Sequence, residues 1–493
     1  MHPGADLELL ITSRHPIVAV DTFEEERLEE LCRDIAGRLD LPLFIWTVTG
    51  GLVRAVGQER VANTSQPGAA LAQLLSPPAR GLYFFKDLHH YLQDPVIIRQ
   101  LIDLTRTFGG AYQTLLFPAP VSEIPQDLKH LVACYRLELP GTEDLKLLAR
   151  RTIKELCRDH NSRIDRTAEE LTRLVDSLRG LTAFEADRAL SQAILRDFAL
   201  TRDDLPFLAG VKKEIPQKDG LLDFYPRETS MAETGGLQNL KSWVAKRRRG
   251  FTQEARDFGL DPPKGIMLLG VQGCGKSLSA TAVAREWELP LLKLEPGRLY
   301  DKFVGESERN LEGALSIAER MAPAVLWIDE IEKGFASVSS SEADAGLSKR
   351  IFGRLLGWLQ DKPAPVFVAA TCNAVETLPP EMIRKGRFDE IFFIDLPGPQ
   401  QRADILAIHL RKRKRDPAGF DLGSLAAAAD GFSGAELEQA VVSALYSAFS
   451  GGEALTTSEL LAEISQTRPL SVTRREDIQA LREWARGRTV PAG

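Results

Sequence analysis

Short, almost wholly apolar runs alternate with longer stretches whose apolar residues recur every three to four positions, and the alternation occurs twice along the chain. In the first half, residues 16–20 (PIVAV), 43–48, 81–85, 114–117 and 135–139 read as strands, because a strand buried on both faces shows a continuous apolar run. Residues 23–39 place Leu28, Leu31, Ile35 and Leu39 on one stripe and predict an amphipathic helix; residues 97–108 predict another. In the second half, residues 266–269, 291–294, 324–330 and 366–371 are strand-like. After residue 400 the pattern turns helical over 403–410, 422–429, 434–447 and 457–465, the composition of a small lid. Strands alternating with helices predict an α/β fold with a parallel sheet.

The halves echo one another in a fixed order. Asp40-Leu-Pro-Leu answers Glu288-Leu-Pro-Leu, the run 81–88 answers 324–331, the run 136–141 answers 393–398, and the run 179–185 answers 430–436. The first 200 residues therefore read as a second copy of one module, with a helical lid over 150–197. Residues 201–232, with Pro206, Pro216, Gly220 and Pro226 and little periodicity, read as a linker. A core over 233–398, a helical lid over 399–470 and an accessory tail over 471–493 complete the expected division.

Chemistry concentrates in the second copy. Gly270-Val-Gln-Gly273-Cys274-Gly275-Lys276-Ser277 fits G-x-x-x-x-G-K-[ST] between a strand and a helix. Its glycines let backbone N–H groups turn toward a phosphate, the helix N-terminus adds its dipole, Lys276 reaches the β/γ-phosphates and the Ser277 hydroxyl binds Mg²⁺. About fifty residues on, the strand ending in Asp329-Glu330 supplies a carboxylate for hydrated Mg²⁺ and one to polarise the attacking water. Asn373, at the end of the next strand, sits where it can place that water. Arg384 and Arg387 suit phosphate oxygens, or are solvated surface arginines. Gly235-Gly236 permits close approach to an adenine, or is only a turn. Phe303-Val304 is an unusual apolar pair in a polar loop, either a substrate-gripping element at a pore or an anchor onto its own domain. The first copy lacks this equipment. Residues 20–26 hold no glycine and no lysine but three consecutive glutamates, Lys86 stands where the other copy has Asp329, and Ala119 where it has Asn373.

Composition adds exclusions. A net charge of −7 gives no reason to expect nucleic acid, and the basic runs 246–249 and 411–415 lack interleaved aromatics, so nucleic-acid partners are not expected. Five scattered cysteines show no C-x-x-C pair, which argues against a zinc site and fits a reducing, cytoplasmic setting; no signal peptide or membrane-length apolar run is seen.

Residues 270–277, 324–330, Asn373, Arg384, Arg387 and the run 431–437 (GFSGAEL) together resemble AAA ATPases in order and spacing. More narrowly, the runs 326–331, 357–360 and 384–393 are similar to the poorly characterised AAA proteins encoded in plastid genomes and cyanobacteria. The resemblance implies a P-loop sheet with a helical lid, preceded by a degenerate AAA-like domain. It also implies ATP and Mg²⁺ as cofactors, a homo-hexameric ring with ATP at subunit interfaces, and a protein client. By it, Asn373 is the γ-phosphate sensor, Arg387 and Arg384 act on the neighbour's ATP, and Phe303 is the aromatic of a translocating pore loop. Relatives are sometimes labelled zinc proteases, but no H-E-x-x-H occurs among the seven histidines. The leading expectation is an ATP-driven protein remodeller; the alternative is a slowly hydrolysing regulatory or scaffolding switch.

Overall fold

A computed structural model describes the chain apart from residues 1–3, 23, 76–79, 109–112, 120–123, 157–162, 165–173, 176, 198, 202–203, 212–219, 226–229, 300–305, 335–341, 363 and 385. It divides into two compact units, Met1–Leu208 and Ala209–Gly493.

The first unit holds a six-stranded sheet of β1 (Ile17–Asp21), β2 (Leu43–Thr47), β3 (Gly51–Arg54), β4 (Gly81–Phe85), β5 (Gln113–Pro118) and β6 (Ala133–Arg136), in the order β3-β2-β4-β5-β1-β6. All neighbours are parallel except β2 and β3, which form an antiparallel edge. Successive side chains feed two separate cores: Ile17, Tyr83, Phe85 and Leu115 face one, and Val18, Leu82, Phe84 and Leu116 the other. Burial on both faces is why these strands read as unbroken apolar runs. The helix Glu25–Arg38 follows β1 and buries Leu28, Cys32 and Ile35. The helices Thr142–Leu156 and Ala183–Asp197 pack together, and the short strands β7 (Arg163–Ile164) and β8 (Ala199–Leu200) pair in parallel.

The second unit holds seven strands: β9 (Leu222–Tyr225), β10 (Gly265–Gly270), β11 (Leu291–Leu294), β12 (Ala324–Ile328), β13 (Val366–Cys372), β14 (Glu390–Ile394) and β15 (Val490–Pro491). Their order is β9-β11-β12-β13-β10-β14-β15. Position by position, β2-β4-β5-β1-β6 corresponds to β11-β12-β13-β10-β14, and each sheet has one antiparallel edge strand, β3 or β9. The repeat in the sequence is thus a repeat of fold. Four helices, Pro399–Lys412, Leu422–Ala428, Gly434–Gly451 and Thr457–Gln466, make the lid around Leu406, Leu410, Leu437, Val441 and Leu460.

Two expectations need correction. Residues 201–232 are not merely a linker, because β9 pairs antiparallel with β11 along Leu222–Tyr225 and is part of the sheet. Residues 471–493 are not an accessory tail. The helix Arg475–Ala485 buries Ile478, Leu481 and Ala485, and β15 pairs with β14 at Phe392 and Phe393. Ala492 donates to Phe393 O at 2.9 Å and accepts from Leu240 N at 3.1 Å. At the segment's start, Leu470 N–H donates to Glu436 Oε1 on the lid at 2.7 Å. The C-terminal segment therefore runs as a strap from lid to core. Strands this short are bonded through backbone and carry little apolar pattern, which hid both.

Candidate nucleotide-hydrolysis site

β10 is buried along its whole length and ends in a turn where Gly270, Gly273 and Gly275 adopt φ of 152°, 78° and 90°. Two of these glycines are also required by space. A Cβ on Gly270 would lie 2.0 Å from Ile394 O, and one on Gly273 would lie 2.9 Å from Ser433 Oγ; around Gly275 there is room. A graded result is therefore expected on substitution by alanine. Gly275→Ala costs about 1–2 kcal/mol from the left-handed backbone alone. Gly270→Ala adds a clash with backbone and costs roughly 3 kcal/mol or more. Denaturant unfolding of the second unit checks the order.

The helix Lys276–Glu286 starts at once after Gly275. Lys276 is 6 % exposed, and its Nζ donates to Gly270 O at 2.7 Å and Val271 O at 2.8 Å. Burial lowers its pKa, while Glu332 and Glu330 nearby favour the charged form. The ammonium is thus held inside the loop, short of strong counter-charge, as suits a group that receives phosphate.

At the end of β12, Asp329 Oδ1 accepts from Ser277 Oγ at 3.2 Å and from Thr371 Oγ1 at 2.8 Å, and its Oδ2 lies 3.7 Å from Lys293 Nζ. Glu330 has φ of 50°, an uncommon conformation for a non-glycine residue, and its N–H donates to Thr371 Oγ1 at 2.9 Å. Asn373 Nδ2 donates to Glu330 Oε1 at 3.0 Å, and Asn373 N–H to Glu332 Oε1 at 2.9 Å. Lys333 pairs with the other Glu330 oxygen. Ser277, Asp329, Glu330 and Asn373 are therefore linked through Thr371, with Lys276 beside Ser277 at the head of the same helix. The hydroxyl of Ser277 beside an Asp329 carboxylate is a hard oxygen pair of the kind Mg²⁺ takes.

A cavity of about 240 Å³ opens beside the phosphate loop between core and lid. Gly235, Gly273, Cys274 and Gly275 line it from the core, and Ile405, His409 and Ala435 from the lid. Ala435 N–H donates to Gly273 O at 3.0 Å, seaming lid to loop. A Cβ on Gly235 would meet Ile405 at 2.4 Å. Gly236 lies outside the cavity, with φ of 68° and the Gln401 side chain packed against it, so only the first glycine of the pair faces the site. Burial pushes the Cys274 thiol up to about 12 and lowers the pKa of His409, leaving the thiol protonated and the imidazole neutral at neutral pH.

Thr371, Glu332, Lys293 and His409 were not singled out in the sequence. Thr371 and Glu332 flank motif residues and could have been suspected from that; Lys293 and His409 reach the site only through folding. Arg384 is exposed, and no contact among the described residues joins it or Arg387 to the group above. Arg387 is half-buried, and its Nη1 is buried with no hydrogen-bond partner among the described residues. Phe303 and Val304 lie outside the described residues. Among the described residues there is no cluster able to hold a metal through three or more His, Cys, Asp or Glu, and no helix long and apolar enough to cross a membrane.

Comparison with known proteins places these features. The family described as "ATPase family associated with various cellular activities (AAA)" matches residues 266–396. The "SpoVK-like AAA ATPase, N-terminal domain" matches 4–137, and the corresponding second domain matches 143–219. The "Uncharacterized AAA domain-containing protein ycf46" of Pyropia yezoensis is 36 % identical over 97 % of both chains, and that of Trieres chinensis 35 % over 97 % and 96 %. The proteasome-activating nucleotidase of Aeropyrum pernix is 38 % identical over 41 % of this chain and 50 % of its own.

Proposed function

From the premise that this chain belongs to the AAA ATPase family and hydrolyses ATP, we propose that it works as a six-membered ring with ATP at the subunit interfaces, and that hydrolysis drives remodelling or translocation of a protein client. Lys276 and the loop glycines take the phosphates, Ser277 and Asp329 take Mg²⁺, Glu330 polarises water, and Asn373 holds Glu330 in place. Bound Mg²⁺ supplies charge neutralisation across the phosphate oxygens.

The observation that carries the interface reading is Arg387. A buried guanidinium nitrogen without a partner is costly in an isolated subunit, and an anionic group of a neighbour would satisfy it. Mixing tests this directly. Arg387→Ala and Glu330→Gln subunits are each expected to be inactive alone. In mixed rings an Arg387→Ala site receives its arginine from a Glu330→Gln neighbour, and roughly a quarter of normal turnover returns if assortment is random. No recovery would place the arginine's action elsewhere.

The client reading rests on likeness to the A. pernix nucleotidase over the ATPase region and on Phe303. Phe303→Ala is expected to keep ATPase activity and lose processing of an unfolded model protein; unchanged processing removes the pore role. Turnover that stays very slow, with assembly that depends on ATP, would instead favour the switch.

A further inference from the structure

The first unit's counterpart of the nucleotide site is not simply stripped of its chemistry. Lys86 follows β4 as Asp329 follows β12, and Glu25 heads the helix Glu25–Arg38 as Lys276 heads Lys276–Glu286. In the second unit the cation is on the helix and the carboxylate at the strand end; in the first unit the charges are exchanged. Lys86 Nζ lies 2.8 Å from Glu25 Oε1 and 2.8 Å from Glu29 Oε2. The lid contact is matched too. Thr182 and Glu185 cap the helix Ala183–Asp197 reciprocally, as Ser433 and Glu436 cap Gly434–Gly451. The second residue of one lid helix, Ala435, donates its N–H to the Gly273 carbonyl; the first residue of the other, Ala183, donates its N–H to Glu24 Oε1 at 2.5 Å. The other Glu24 oxygen binds Arg27, which also reaches Glu138 O beyond β6. The side chains of Glu24, Lys86 and Glu29 are 7 %, 16 % and 20 % exposed, so their contacts are enclosed, while Glu25, 42 % exposed, adds its charge from the rim.

We propose that the first unit carries its own anionic ligand: Glu24, Glu25 and Glu29 supply, from within the chain, the negative charge that a nucleotide brings to the second unit, and hold its core and lid closed at all times. Glu25 and Glu29 are bound by the Lys86 ammonium, and the lid helix is tied through its first N–H to the Glu24 carboxylate. The unit takes no nucleotide and does not open and close with turnover. The second unit, whose seam contains a cavity, is the part of the chain that nucleotide can move.

The full-length chain tests this by nucleotide counting and amide hydrogen exchange. Equilibrium dialysis should find one ATP per chain, and none for Lys276→Ala. Exchange in residues 183–197 should be slow with or without ATP. Glu24→Ala, which removes the acceptor, should speed exchange in the first turn of that helix roughly tenfold or more, and ATP should not restore it. A charge swap guards against simple misfolding. Lys86→Glu should lower the unfolding midpoint of the first unit, and adding Glu25→Lys should recover most of the loss. Residual binding in Lys276→Ala, unchanged exchange in Glu24→Ala, or a double variant no better than Lys86→Glu would each overturn the proposal.

Discussion

Glu330→Gln is expected to lower ATP turnover by roughly 10²- to 10⁴-fold, the contribution of a positioned general base, while leaving ATP affinity close to that of the parent chain. Binding persists because Lys276, Ser277 and Asp329 are untouched and are held without Glu330: Lys276 Nζ donates to Gly270 O and Val271 O, and Ser277 Oγ and Thr371 Oγ1 both donate to Asp329 Oδ1. A glutamine can still accept from Asn373 Nδ2 through its carbonyl oxygen, so the local hydrogen bond is kept and only the proton-accepting carboxylate is lost. Steady-state turnover and titration with a fluorescent ATP analogue measure the two quantities separately. Turnover within tenfold of the parent would mean that another group activates the water. Weakened binding would mean that Glu330 is needed to shape the loop.

Deleting residues 470–493 is expected to unfold the second unit's core–lid arrangement and to abolish nucleotide binding, while the first unit keeps its own transition. The segment buries Ile478, Leu481, Ala485 and Ala492. Its removal forfeits on the order of 5 kcal/mol from the apolar area alone, comparable to the whole stability of an ordinary domain. It also removes the bond from Leu470 to Glu436, and with it one tie between lid and core. The contrasting substitution is Arg482→Ala. Arg482 and Asp395 form a bidentate pair at 2.8–3.0 Å, but their side chains are 42 % and 41 % exposed, so the expected loss is about 1 kcal/mol or less. Differential scanning calorimetry on both variants distinguishes a structural strap from a decorative tail. A deletion that still binds ATP would refute the strap.

What could be read from residues alone follows from how each signal is encoded. The phosphate loop was legible because Gly270, Gly273, Gly275, Lys276 and Ser277 meet their steric and electrostatic demands within eight consecutive positions. The doubled module was legible because strands such as β1 and β10, buried on both faces, print unbroken apolar runs. The rest depends on contacts that no local pattern records. Thr371 matters because β13 lies next to β12, bringing its hydroxyl to both Asp329 and Glu330. His409 enters the cavity because the lid folds back over the loop. β9 and β15 were missed because neither prints an unbroken apolar run: β9 reads Leu-Asp-Phe-Tyr, with a carboxylate inside it, and β15 is only two residues long. The exchanged charges at Lys86 and Glu25 were visible as a loss of function; only their distances reveal a contact.

β15 has a consequence for how the protein avoids sticking to itself. β14 reads Glu-Ile-Phe-Phe-Ile, and without a neighbour on its outer side it would present an apolar edge of the kind that recruits strands from other molecules. β15 covers Phe392 and Phe393, and it is itself a poor template: two residues long, with Pro491 contributing no N–H. The sheet is finished off by a strand to which little can be added. Contacts between copies are therefore not made by extending this edge of the sheet, and chains cut before residue 490 should aggregate through β14 even where their nucleotide loop is intact.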